Sequence, residues 1–393
     1  MKTTCDLCAD IGYMSLNHVG EQLCGDRVEI VQPEGDSTVI VLADGLGSGV
    51  KANILATLTS KIISTMLAAG MPLEDAVETI IATLPVCAVR GVAYSTFTII
   101  RIVNNLKAEI IQYENPSVIM LRDGKNYEMP TTTVTVAGKE VLRSEVPLME
   151  NDVFIAMSDG VEHAGVGGFY NFGWKREEII AFMEQCWRAE HTAKTLTTLL
   201  LEECSRLYAG LPGDDSTVCT VRIRPRQPVN LVFGPPYEKD DGPRMMEQFF
   251  LEEGKHIICG GTTATIASQF LGKPLHVGFE YIDPGIPPTA TLEGVELVTE
   301  GVVTVSRTLE YAKNYLADNT SYETWRTKQD GASQLARILF EEATDVHFYV
   351  GRAVNPAHQN PNLPINFNIK MNLIREMEDC LLKMGKQVRV SYF

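Results

Sequence analysis

No run of about 18 apolar residues occurs in this 393-residue sequence, so nothing in it reads as a membrane-spanning helix. The opening MKTTCDLCAD lacks the basic and apolar regions of a signal peptide, and the expectation is a cytoplasmic protein. Positive charge is scarce: 34 Lys and Arg stand against 50 Asp and Glu, a net charge of −16 at pH 7. That balance speaks against nucleic acid or a membrane surface as a partner held by long-range attraction. Nor do the cysteines suggest a disulfide framework. There are nine, an odd number, scattered through strand-like segments such as STVCTV and HIICGG, the pattern of reduced core thiols. Cys5 and Cys8 form a lone CxxC that His18 and Cys24 could complete as a zinc set, but no second closely spaced pair follows. Ordinary thiols are the expected reading. Internal repeats and low-complexity tracts are absent too.

What is present is enough chain for two cores, with 45% hydrophobic residues. Strand-like segments crowd the first half: 27–32, 38–44, 94–103, 107–114, 118–122, 152–159 and 216–223. Asp123-Gly124 is a hairpin signal, and strands that follow one another without helices between them predict antiparallel pairing. Ser48 is placed to cap a helix over 50–69, and Pro72 to open another over 73–84. Val50, Ile54, Leu58, Ile62 and Met66 recur every fourth position, with Leu55 and Leu67 widening the stripe, which predicts a helix packed deeply on a sheet. Further helices are expected within 175–187 and 192–208. The segment IRPRQPVN, residues 223–230, reads as a connector, and the expected domains are 1–226 and 227–393. Beyond it strands alternate with helices, as in an open sheet covered on its faces.

The stretch ADGLGSG carries the chemistry. Gly45, Gly47 and Gly49 give GxGxG rather than the GxGxxG of a dinucleotide site, and no lysine stands where a phosphate-binding loop requires one. Asp44 would repel a pyrophosphate but suits a hard cation that takes oxygen ligands, and Gly45 lets a backbone carbonyl approach the same ion. One carboxylate holds a divalent cation poorly. Others arrive in similar settings: Asp26 in CGD at a strand start, Asp159 in SDG at a strand end, and Asp214 with Asp215 in PGDDSTV before a strand. Any one of these is an ordinary turn residue; the set together is more than turn chemistry explains.

In that order and spacing, from about Leu23 to Arg224, these motifs resemble the metal-dependent 2C-type protein serine/threonine phosphatases, specifically their SpoIIE-like bacterial branch. YENPSVIMLRDG also looks like that branch's central segment, with ENPS where GHPP is frequent. The resemblance implies an N-terminal four-layer α-β-β-α sandwich of antiparallel sheets, joined here to a C-terminal open α/β sheet domain. It implies two Mn²⁺ or Mg²⁺ ions, with Asp44 bridging both, Asp26 and the Gly45 carbonyl serving one, and Asp159 and Asp214 the other. Asp215 is then a supporting residue, and which of Asp214 and Asp215 ligates stays open. The ions activate a water, so no protein nucleophile is needed, and no Cys, Ser or His constellation suggests one. Arg27 reads as an exposed strand arginine rather than a phosphate contact, and His163 as a loop histidine rather than a general acid. The helices after the Asp44 loop act, by resemblance, as a switch on metal occupancy. The expected activity is hydrolysis of phosphoserine or phosphothreonine in a phosphoprotein, of which a phosphorylated antagonist of an anti-sigma factor is the branch's typical case. A non-catalytic signalling scaffold and a phosphatase of a small phosphorylated metabolite remain as alternatives, and a homodimer is compatible with either.

In the C-terminal half, ICGGTTATIASQFLG ends a strand at Gly260-Gly261 and sets Thr262 and Thr263 at a helix N-terminus. Free amides there suit an anion, so Gly260, Gly261, Thr262 and Thr263 are candidates for binding a small-molecule effector; helix capping alone is the plainer reading. NPAHQNPNLPIN, residues 355–366, is either a loop over such a pocket or a surface crossing.

Overall fold

The structure, a computed structural model, describes residues 7–33, 37–83, 95–317, 319–353 and 365–393. Cys5, Leu84, Tyr94 and residues 355–364, which figure in the expectations above, lie outside that set. The chain divides into two compact units, Met1–Pro225 and Arg226–Phe393. Arg226 is tied into the second by an ion pair with Asp345 at 2.7 Å. No helix among the described residues is long and apolar enough to cross a membrane.

The first unit contains β1 (Leu7–Leu16), β2 (Asp26–Val31), β3 (Thr38–Gly45), α1 (Gly49–Ala68), α2 (Leu73–Thr83), β4 (Ser95–Val103), β5 (Lys107–Tyr113), β6 (Ile119–Arg122) and β7 (Lys125–Asn126). β8 (Thr131–Val136), β9 (Lys139–Pro147), β10 (Val153–Met157), α3 (Asp159–Glu162), α4 (Arg176–Cys186), α5 (Ala193–Leu207) and β11 (Ser216–Pro225) follow. Two antiparallel sheets result, ordered β2-β3-β4-β5-β9-β8 and β1-β11-β10-β6-β7. The two-residue period of a strand explains how they stack. On β3, Val39, Val41 and Ala43 face a core shared with Ala56, Ile63 and Leu67 of α1. Ile40 and Leu42 face the opposite way, into a core shared with Phe154, Ala156, Cys219 and Val221 of the other sheet. That second sheet turns Ile155, Met157 and Val218 outward onto Ile179 and Met183 of α4 and Leu196 and Leu200 of α5. The layers are α-β-β-α. Asp123 and Gly124 both take positive φ between β6 and β7, the tight turn their sequence predicts.

Helix α1 corrects the expectation for its apolar stripe. Val50, Ile54, Leu58 and Ile62 are exposed, while Ala52, Ala56, Thr59, Ser60, Ile63 and Ser64 are buried. The cause is proximity. A Cβ built on Gly45 would lie 2.1 Å from the Ala52 carbonyl oxygen, and one on Gly25 would lie 2.9 Å from the Ala52 Cβ. A backbone this close to the sheet admits only small side chains, so the large residues turn outward. Ser48 stands at the helix start without a side-chain cap; its Oγ faces Glu21 Oε1 at 3.5 Å.

The second unit comprises β12 (Pro228–Phe233), α6 (Gly242–Leu251), β13 (Lys255–Cys259), α7 (Gly261–Leu271), β14 (His276–Val277), β15 (Ala290–Thr291), β16 (Leu297–Thr299) and α8 (Val302–Leu316). It continues with α9 (Tyr322–Thr327), α10 (Gly331–Ala336), β17 (Asp345–Val350), α11 (Ile365–Lys383) and β18 (Gln387–Tyr392). Its sheet runs β14-β15-β16-β13-β12-β17-β18, parallel from β16 to β18 with β14 and β15 as an antiparallel margin. Met245 and Phe249 of α6 and Ala264 and Ala267 of α7 pack on one face. Leu309 of α8, Leu335 of α10 and Met377 of α11 pack on the other. The chain therefore builds outward from β12 in one direction along one face, then in the other direction along the opposite face. The reversal falls between β12 and β17, where such sheets open a crevice at their carboxyl ends.

Candidate metal centre

Asp26 begins β2 and Asp44 lies near the end of β3, and the antiparallel register places them directly opposite one another. Asp159 follows β10 and opens α3; Asp214 and Asp215 precede β11. Both Asp-Gly pairs are fixed by close approach. The Cβ that Gly160 lacks would sit 2.1 Å from the Asp215 carbonyl oxygen, as that of Gly45 would sit against Ala52. The glycines thus serve the backbone packing that brings their aspartates in, a role beyond the carbonyl access expected of Gly45.

Hydrogen bonds lock the strands' ends together. Ser158 Oγ donates to Asp26 Oδ2 at 2.7 Å, and the Thr217 amide donates to Ser158 Oγ at 2.8 Å. Asp215 accepts from the His18 amide at Oδ1 and the Gly25 amide at Oδ2, each at 2.9 Å. Both its oxygens are committed, and it is buried; its work is to hold the turn that delivers Asp26. Asp214 remains half-exposed, with Oδ2 3.9 Å from His163 Nδ1. Ligand atoms of Asp159, His163 and Asp214 lie within 4.8 Å of one another. The geometry therefore groups Asp214, rather than Asp215, with Asp159. It also brings in His163, which sequence reasoning left as a loop residue; its position four after Asp159 on one helical turn was the available signal.

The electrostatics is that of carboxylates crowded together without compensating charge. Burial raises the Asp44 carboxyl, and Asp26, Asp159 and Asp214 raise it further. Asp26 is also pushed up, by burial first and by Asp215 and Asp159 against the hydrogen bonds from Ser158 and Thr217. Asp214 shifts the same way through burial and Asp159. Among the described residues no Lys or Arg forms an ion pair with Asp26, Asp44, Asp159 or Asp214. Asp26 Oδ1 is buried with no hydrogen-bond partner among the described residues. Carboxylates gathered this way cost stability unless a positive charge joins them. An all-oxygen donor set with an orphaned carboxylate oxygen fits a hard divalent ion. Arg27, by contrast, turns its guanidinium toward Glu29, 3.9 Å away, as an exposed strand residue would.

Residues 34–224 match the model of the family described as Stage II sporulation protein E (SpoIIE). Over that span, just under half of the chain, the sequence is similar to the SpoIIE family. Asp26 precedes the matched span and reaches it through its register with Asp44. Solved structures similar to the chain include the PP2C phosphatase domain with a fragment of the regulatory domain of SpoIIE from Bacillus subtilis, at 20% identity and a TM-score of 0.49. That match covers 56% of this chain and 65% of that one, so the chain spans less than two thirds of that relative's length. The RsbU and RsbW domains of a Mycobacterium tuberculosis protein match at 18% identity and a TM-score of 0.45, covering 61% of this chain and 66% of that one. A serine/threonine phosphatase of S. agalactiae matches at 14% identity and a TM-score of 0.42, covering 55% of this chain and 99% of that one. No curated protein sequence matches. Outside the matched span, Gly260, Gly261, Thr262 and Thr263 stand together at the start of α7, with Gly260 as its N-cap.

Proposed function

We propose that the first unit is a metal-dependent phosphatase of phosphoserine or phosphothreonine in a protein substrate. The observation that carries the reading is the Asp26–Asp44 pair, opposed in register and joined by Asp159 and Asp214 with no basic partner. Asp26, Asp44, the Gly45 carbonyl, Asp159 and Asp214 would hold Mn²⁺ or Mg²⁺. Bound there, such ions would supply Lewis acidity and lower the pKa of a water. The chain's own residues set the rest. Ser158 fixes the orientation of Asp26, and Asp215 anchors the loop on which Asp26 stands. Tyr208 donates to the Gly160 carbonyl at 2.6 Å, bracing the turn behind Asp159. His163, more than half exposed at the rim between Asp159 and Asp214, is placed to meet an incoming phosphoryl group. The half-exposed side of the cluster is the side a phosphorylated residue on a protein surface can reach.

The family resemblance favours bacterial signalling, with a phosphorylated anti-sigma antagonist as the substrate type and a cytoplasmic location. Manganese-dependent hydrolysis of p-nitrophenyl phosphate, lost in Asp44→Asn, is the test. A protein that turns over neither this substrate nor any phosphopeptide with Mn²⁺ or Mg²⁺ is a scaffold instead. A panel of phosphometabolites set against phosphoproteins decides between the two substrate classes.

A further inference from the structure

We propose that the second unit holds the phosphate group of a small-molecule ligand between the start of α7 and Lys370, at the point where its sheet reverses direction. Helix α7 makes its first helical hydrogen bond from the Ala264 amide to the Gly260 carbonyl, at 2.9 Å. The amides of Gly261, Thr262 and Thr263 precede it and point out of the helix end, where the helix dipole favours an anion. Neighbouring helices fill the same need internally. The Glu300 carboxylate accepts from the Val303 amide at the start of α8, and Asp330 accepts from Ala332 and Ser333 at the start of α10. The α7 N-cap is glycine and offers no side chain.

An independent observation points to a ligand. Thr263 is fully buried, and its hydroxyl has no hydrogen-bond partner among the described residues. The oxygen lies 3.3 Å from where a Cβ on Gly260 would stand, so it faces the gap that this glycine leaves open. Gly260 keeps that gap with a φ of +128°, which strongly favours glycine. A buried hydroxyl left unmatched destabilises the fold, a penalty a bound acceptor removes.

Lys370 supplies the charge. It comes from α11 and is 7% exposed; its Nζ donates to the carbonyls of Gly351 and Ala353. Burial lowers its ammonium to about 8. No carboxylate pairs with it among the described residues, and residues 354–368 contain neither Asp nor Glu. Gly234 joins the ammonium to the α7 turn. Its missing Cβ would lie 2.7 Å from Lys370 Nζ, and its amide lies 4.0 Å from the Cβ position of Gly260. Gly234 follows β12 and Gly351 follows β17, the two strands that flank the reversal. Amides, a hydroxyl and an ammonium are all donors, which suits an acceptor-rich phosphate.

The test uses the full chain labelled with ¹⁵N-glycine, in chelator so that the aspartate centre cannot retain phosphate through a metal. Inorganic phosphate is titrated against chloride at matched ionic strength. The expected result is saturable movement of the Gly234, Gly260 and Gly261 resonances with phosphate alone. Thr263→Val should weaken the binding about threefold and Lys370→Met about tenfold, the latter losing a charge-assisted contact. Thr263→Val removes a hydroxyl that bonds to nothing among the described residues, so its fold should be retained even if Lys370→Met fails to fold. Tighter binding of glycerol 3-phosphate than of inorganic phosphate assigns the site to a phosphoester, and the reverse assigns it to the free ion. Absence of movement at these glycines, or equal affinity in Thr263→Val, overturns the proposal. Since the aspartates are silent under these conditions, the outcome is separable from that of the phosphatase reading.

Discussion

Asp26 and Asp44 are direct partners across the β2–β3 ladder, a buried and a partly buried carboxylate opposed at one end of the sheet. Like charges in opposed positions destabilise a sheet, and burial adds to the cost.

Metal removal should therefore expose a stability penalty. In chelator, Asp44→Asn should be more stable than the native chain by at least about 1 kcal/mol, because a repulsive charge has been removed. Added Mn²⁺ should stabilise the native chain and leave the variant unmoved, while hydrolysis by the variant falls about a thousandfold, the equivalent of the few kcal/mol a metal's charge stabilisation supplies. Thermal melts with and without Mn²⁺, beside p-nitrophenyl phosphate turnover, check both halves.

Asp214 and Asp215 should part company on substitution. Asparagine at 215 has one acceptor oxygen for two amides, those of His18 and Gly25, and leaves a buried donor unmatched. Asp215→Asn should lose about 1–3 kcal/mol of stability. Asp214→Asn, at a half-exposed position, should stay within about 0.5 kcal/mol of native while activity falls about a hundredfold. Denaturant unfolding and initial rates on the same preparations separate the two effects.

Helix α1 shows where the sequence misleads. Its large residues at every fourth position define an apolar face by period alone, yet Ile54 and Leu58 are exposed and Ala52 and Ala56 are buried. Periodicity identifies a helix and its sidedness; how closely the backbone meets the sheet decides which side goes in. Ile63→Ala should cost about 2–5 kcal/mol by opening a cavity in the core under α1, whereas Leu58→Ala should cost under about 0.5 kcal/mol. Denaturant midpoints of the two variants measure this directly.

The remainder of the first unit was legible to varying degree. Strands rich in Val and Ile, such as β3 and β4, are plain in the sequence because both their faces are buried. β1 was not, since its Asp10 and Gly12 lower its strand character. Both are there for α5: Asp10 accepts the Ala193 amide, and a Cβ on Gly12 would meet the Lys194 backbone nitrogen at 2.3 Å. The β8–β9 hairpin escaped notice for the opposite reason, being a largely exposed ladder with little apolar pattern. The aspartates were visible as residue types in repeated settings. Their hydrogen-bonded support, Ser158 above all, depends on contacts between residues more than 100 positions apart.

Lys194 gives the first unit a stability that depends on alkaline pH. Its side chain is 4% exposed and donates to the Tyr13 carbonyl at 2.8 Å, and burial lowers its ammonium to about 8 from an ordinary 10.5. Between those values the unfolded chain binds a proton that the folded chain does not, so stability rises with pH through this window. Below about pH 8 both states are protonated and the cost of burying the charge is fully present. Raising the pH from about 8 to about 9.5 should add about 1–2 kcal/mol from this group, and Lys194→Met should lack that increment while being the more stable of the two at neutral pH. Lys370 shifts in the same direction, so the difference between native and variant curves, not the native curve alone, isolates the effect. Unfolding free energies at both pH values for both proteins supply it, and parallel curves would remove Lys194 from the account.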